Sequence, residues 1–145
     1  MPTSHEAACL DTDMLSAIAR GHPDATARAR VYLAKHGRLT FTAISVAERL
    51  RGYHAALRAG KPFTVQLAEF ERVVASSAVL PLDTAAAALA GRIAAALGRR
   101  SFACDLLIAA IVAVHGMSLV TRNQSDFAPI CSLPFIRLPL VDWSS

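Results

Sequence analysis

The apolar run Ala7-Ala8-Cys9-Leu10 ends abruptly in Asp11-Thr12-Asp13, and Met14-Leu15 follow at once. A short strand that ends in paired carboxylates and turns directly into a helix places acid at one edge of a sheet. In open α/β sheets the carboxyl ends of the strands form the crevice where ligands bind. Glu48, Asp105 and Asp126 fall at similar junctions, and the chain has only eleven acidic residues, so their placement carries information. Like charges gathered in a crevice repel unless a cation lies among them, which points to a divalent metal site.

The rest of the chain reads as strands alternating with helices. Residues 7–10, 39–44, 78–82, 118–120 and 135–138 are the strand candidates. Residues 14–20, 24–36, 46–59, 65–75, 84–97 and 104–114 are the helix candidates, and Asp126 starts a short turn. Gly37 and Gly98 stand just past helix ends, where a left-handed residue is favoured. Short apolar strands separated by helices mean βαβ units, a parallel sheet and helices on both faces. The 145 residues are expected to form one α/β domain over 1–145, large enough to bury a core without staples.

Composition narrows the partners. A hydrophobic share of 54% with 18% charged residues describes a compact domain, not a disordered one. Net charge is +4, and arginines far outnumber the two lysines, Lys35 and Lys61. Arginine suits phosphate because its planar fork donates two hydrogen bonds at once. Cys9, Cys104 and Cys131 are odd in number, lack CxxC spacing and lie in apolar surroundings, which reads as reduced, buried thiols in a cytosolic protein. No basic-then-apolar leader opens the sequence. The longest apolar run, 106–114, is far short of the roughly 20 residues that cross a bilayer. A soluble, cytoplasmic domain with no membrane partner is expected.

Capping explains each acid taken singly. Ser45-Val46-Ala47-Glu48 fits a capping box, Asp11 or Asp13 could cap the first helix, Asp105 lies in the first turn of its own, and Asp126 follows Asn123. Each carboxylate at a helix start gains roughly 0.3–1 kcal/mol from the macrodipole. A parallel sheet, however, lines those helix starts along one edge, so capping would itself gather the acids. Asp105 favours metal over a plain cap. It stands among apolar neighbours with no adjacent cation, and unpaired burial of a carboxylate is costly. After the fourth strand, Thr121 could orient a neighbouring acid, Arg122 could hold a phosphate, and Asp126 could complete the metal shell.

Other chemistries lack their residues. His5, His22, His36, His54 and His115 show no ligand spacing for zinc, and there is no GxSxG, P-loop or GxGxxG. Two readings from other classes stay open. Asp11-Thr12-Asp13 matches the DxD nucleophile of haloacid-dehalogenase-type phosphatases, although no lysine follows a strand to serve as counter-charge. A non-catalytic binding module whose acids only cap helices is the second.

Four segments, taken in order, resemble the PIN-domain ribonucleases and, within them, the VapC-type toxins of toxin–antitoxin pairs. Cys9-Leu10-Asp11-Thr12-Asp13-Met14-Leu15-Ser16 is similar to their opening strand and first acid, with Asp13 where the family more often has Asn. Residues 44–52 resemble the second motif with Glu48 as its acid, residues 105–110 the third, and residues 119–127 the fourth. The resemblance implies a PIN-like parallel sheet of about five short strands and a metal-dependent endoribonuclease. It implies Mg²⁺ or Mn²⁺ among Asp11, Asp105 and Asp126, with Glu48 beside them as a fourth catalytic acid. Oxygen-only ligands suit those hard cations. Thr121, Asn123 and Asp13 are expected to support the ligands, and Arg122 and Arg20 to meet the RNA backbone. The implied partners are a structured RNA such as tRNA or ribosomal RNA, a cognate antitoxin covering the acidic pocket, and a second copy in a homodimer.

Overall fold

The computed structural model describes residues 7–145. Among them run, in chain order, β1 (Ala8–Leu10), α1 (Thr12–Ala19), α2 (Pro23–His36), β2 (Thr40–Thr42), α3 (Ala43–Arg58) and α4 (Thr64–Ala75). They are followed by β3 (Ala78–Leu80), α5 (Thr84–Ala96), α6 (Cys104–Val114), β4 (Ser118–Val120), α7 (Gln124–Cys131) and β5 (Leu140–Val141). The five described strands form one sheet in the order β3-β2-β1-β4-β5, every pair parallel. This is the expected α/β architecture.

The sheet is covered on both faces, which is why β1 reads as the unbroken apolar run Ala8-Cys9-Leu10 and why even Thr40 and Thr42 of β2 are buried. Side chains alternate along a strand. Leu10 and Ala8 join Phe41, Val120 and the residues of α1 and α2, with Trp143, in one core cluster. Cys9 and Leu119 face the other cluster, built from α5, α6 and α7. Helix α6 is buried nearly all round, Leu106 to Val112 contributing six buried side chains. No helix among the described residues is long and apolar enough to cross a membrane.

Strand order reverses direction around β1: the chain builds β2 and β3 on one side, then places β4 on the other. A parallel sheet opens a crevice at such a switch point, at the carboxyl ends of the strands. The register Leu10↔Val120 brings Asp11 and Thr121 side by side there. The Asp11 N–H donates to the Val120 carbonyl at 2.9 Å, so strand pairing continues to the carboxylate itself.

Several elements differ from the sequence reading. The last strand is Leu140–Val141, not residues 135–138. Ile136 turns back onto the Leu133 carbonyl, and the sheet edge is joined through the carbonyls of Pro139 and Val141, which accept from Leu119 and Thr121 N–H at 2.8 Å. A proline lacks the N–H of a ladder but keeps its carbonyl, so Pro139, just before the strand, can still accept from Leu119. The short turn at Asp126 is a full helix, α7, with Asp126 in its first turn. The capping box at Ser45 is absent. Thr42 caps α3, its Oγ1 accepting from Ser45 N–H at 3.2 Å, so Ser45 and Glu48 lie inside the helix. Among the cysteines, all free, Cys9 is buried as expected, whereas Cys131 is half-buried and Cys104, the first residue of α6, is exposed. His5 lies outside the described residues.

Candidate metal centre

Four helices deliver five acids to one crevice. Asp11 is the N-cap of α1 and Asp13 lies in that helix's first turn. Glu48 comes from the second turn of α3, Asp105 from the first turn of α6 and Asp126 from the first turn of α7. Together with Thr12, Ser16 and Asn123 they line a cavity of about 320 Å³ floored by Ile108 and Phe127. Among the described residues, no lysine, arginine or histidine side chain lines it. The capping and crevice readings therefore coincide at Asp11 only. Asp105 Oδ1 accepts from the next residue's N–H (Leu106, 2.8 Å), and neither α6 nor α7 has a side-chain cap.

Asp11 is the most constrained acid. It is buried, with Oδ1 accepting from Thr12 N–H at 2.8 Å and Oδ2 from the Thr121 hydroxyl at 2.9 Å. Burial pushes its pKa up from 3.8 to about 6. The Thr121 and Thr12 hydrogen bonds pull the other way, and the charges of Asp13 and Glu48 add to the rise. Burial also raises Asp13, against the Arg122 N–H bond (3.0 Å) and the Arg122 charge that lower it. Thr121 itself accepts from Asn123 N–H at 3.1 Å, tying the β4–α7 turn to Asp11.

Glu48 has a different anchor. Thr12 Oγ1 donates to its Oε1 at 2.6 Å, and the same hydroxyl lies 3.0 Å from Ser45 Oγ. One turn along α1, Ser16 Oγ takes a hydrogen bond from Arg49 Nη1 at 2.5 Å and donates to the Thr12 carbonyl at 3.1 Å. The Arg49 guanidinium also bonds the Tyr53 hydroxyl and rests 5.1 Å from the Tyr53 and Phe70 ring centres. Partial burial, then the charge of Glu48 and a hydrogen bond to it, push the Cys104 thiol up.

All four acids read as catalytic from sequence thus share the cavity, and Asp13 and Asn123 share it with them. The Thr121 hydroxyl, which does not line the cavity, donates to Asp11 Oδ2. Arg122 is exposed beside Asp13, whereas Arg20 is the C-cap of α1, at the opposite end of that helix from Asp11. Thr12, Ser16 and Ser45 were missed: a threonine between two aspartates carries no local mark of a partner 36 residues away.

The lining suits a hard divalent cation in chemistry, being oxygen donors with a surplus of negative charge. No three of the described His, Cys, Asp or Glu side chains come together as a ready-made ligand cluster. The fit is one of donor type and shared cavity.

Among curated proteins, none matches the chain in sequence. Solved structures share its fold. VapBC-1 from nontypeable Haemophilus influenzae superposes with a TM-score of 0.76 at 23% identity, over 95% of this chain and 98% of the other. VapBC2 from Rickettsia felis, bound to a DNA fragment from their promoter, gives 0.72 at 20% identity over 94% and 98%. VapBC-5 from Mycobacterium tuberculosis, a member of the VapBC family of toxin-antitoxin systems, gives 0.58 at 24% identity over 94% and 98%. The sequence pattern of the PIN domain matches residues 8–131, a span that begins with β1 and ends with α7 and so holds every acid of the crevice. The chain therefore belongs to the PIN domain family.

Proposed function

We propose that this protein is a Mg²⁺- or Mn²⁺-dependent endoribonuclease of the VapC toxin type, cleaving structured RNA and inhibited by a cognate antitoxin. One observation carries the reading: Asp11, Glu48, Asp105 and Asp126, from four separate elements, line one cavity that, among the described residues, no basic side chain lines. Asp11, Asp105 and Asp126 would hold the cation, with Glu48 beside them. A bound divalent ion supplies a water of lowered pKa and offsets charge on the leaving oxygen of a phosphodiester.

The chain's own residues do the rest. Thr121 and Thr12 N–H fix Asp11 in one orientation, with both its oxygens engaged. Glu48, held from α1, stands to take a proton from the attacking water. Arg122, exposed beside the cavity, offers its guanidinium to a substrate phosphate. The same engagement of both Asp11 oxygens argues against the phosphatase alternative, whose aspartate must be free to attack. Lys35 and Lys61, its candidate counter-charges, are exposed and do not line the cavity. The fold likeness to VapBC assemblies supports an antitoxin as partner, and a homodimer and cytoplasmic location belong to the same reading.

Cleavage of total cellular RNA tests it. Activity should need Mn²⁺ or Mg²⁺, vanish with EDTA, and leave 5′-phosphate and 3′-hydroxyl ends. Ends carrying 2′,3′-cyclic phosphate would mean attack by the ribose hydroxyl and would overturn the metal-water mechanism.

A further inference from the structure

We propose that Thr12 is a positioning residue for Glu48, and that a chain of hydroxyls, Thr42–Ser45–Thr12, fixes the proton it presents to that carboxylate. The proposal rests on the nuclease reading for its kinetic consequence, but its geometry stands on the hydrogen bonds alone.

Glu48 is the acid that most needs such help. The aspartates of the cavity have short side chains beside their own helix starts, whereas Glu48 has a long, rotatable one projecting from the second turn of α3. The Thr12 hydroxyl meets its Oε1 at 2.6 Å, a length typical of a hydroxyl donating to a charged oxygen. The Cys104 thiol also faces Glu48, but a thiol is a weak donor.

The proton order in the chain follows from the chemistry of its ends. An ionised carboxylate only accepts, so Thr12 donates to Glu48. Thr12 Oγ1 then accepts from Ser45 Oγ at 3.0 Å, and Ser45 Oγ from Thr42 Oγ1 at 3.5 Å. Thr42 Oγ1 in turn accepts from Ser45 N–H at 3.2 Å. Thr42 and Ser45 have no exposed surface, so water cannot take over either hydroxyl. Every proton consequently points toward Glu48. The neighbouring clasp from Arg49 to Ser16 holds the same two helices, since Thr12 and Ser16 stand four apart on one face of α1.

Thr12→Val removes the hydroxyl while keeping the branched shape, and Thr12→Ser keeps the hydroxyl. In Thr12→Val, kcat on one fixed RNA should fall on the order of 10- to 100-fold, as for other residues that orient catalytic ligands, with KM little changed. Thr12→Ser should restore most of it. In the metal-free protein the Glu48 carboxyl-carbon NMR resonance should move in Thr12→Val and return in Thr12→Ser, while that of Asp105 stays. Ser45→Ala, which keeps the N–H bond to Thr42, should shift both readouts the same way by less, and serves if Thr12→Val fails to fold. A Thr12→Val protein that melts lower but keeps its kcat and its Glu48 resonance would reduce Thr12 to a structural tie and overturn the proposal. If the wild type cleaves no RNA with Mn²⁺, the nuclease reading falls, and the Glu48 resonance still decides whether Thr12 holds it.

Discussion

Asp11→Asn separates an acid that stabilises the fold from one kept at a cost for its chemistry. The carboxyl is buried, and its pKa rises from 3.8 to about 6 on folding, chiefly through burial. A rise of that size corresponds to about 3 kcal/mol between the two protonation states. The sign follows from proton linkage. The folded protein holds the Asp11 proton more tightly than the unfolded chain, so this contribution is fully present below about pH 3.8 and is lost as pH rises through 6. Above that, the metal-free fold carries an ionised, buried Asp11 facing Asp13 and Glu48.

Asparagine abolishes the titration with little change of shape. Its carbonyl can accept from Thr12 N–H, and its amide can donate to Thr121 Oγ1, whose proton can turn to Asp13, 3.5 Å away. In EDTA at pH 8 the variant should therefore be more stable than wild type by up to about 3 kcal/mol, or a Tm higher by roughly 6–12 °C for a domain of this size. At pH 3.5 the two should melt together. Adding Mn²⁺ at pH 8 should raise the wild-type Tm and leave the variant unmoved. Parallel thermal melts by circular dichroism at the two pH values, with EDTA or Mn²⁺, measure all of this. An Asp11→Asn protein less stable than wild type at pH 8 in EDTA, or a difference that ignores pH, would refute the reasoning and leave Asp11 as a helix cap.

Asp105→Asn can keep its bond from Leu106 N–H, so its metal-free melting temperature should hold or rise while RNA cleavage disappears; a loss of up to about 1 kcal/mol with cleavage intact would mark a plain helix-start role. Arg122→Ala should weaken RNA binding and lower the slope of log K against log salt by roughly one, the mark of a lost phosphate contact. Arg20→Ala, at the far end of α1, should leave that slope unchanged, and fluorescence anisotropy across a salt series compares the two.

The fold class and the acids of the crevice were legible in the sequence because both are written locally. Adjacent apolar pairs such as Cys9-Leu10 and Leu119-Val120 mark strands buried on both faces, and acids just beyond them must lie at the carboxyl edge of a parallel sheet. Glu48 was found as an acid of the site, yet its local explanation, a capping box with Ser45, dissolves in the structure, where Thr42 starts the helix earlier. Residues 135–138 carry the apolar pattern of a strand, but Leu140–Val141 pairs with β4, because the choice depends on which carbonyls meet Leu119 and Thr121 N–H. Cys104 looks like core by its neighbours and is exposed by its place at the mouth of α6. What the sequence determined by itself is the alternation of elements and the chemistry at their ends, since both follow from side-chain period and backbone capping within a few residues. The tertiary structure alone decided which polar groups meet across that edge: Thr121 with Asp11, 110 residues apart, and Thr12 with Glu48, 36 apart. Such pairings are set by strand order and helix packing, and no run of neighbouring residues encodes them.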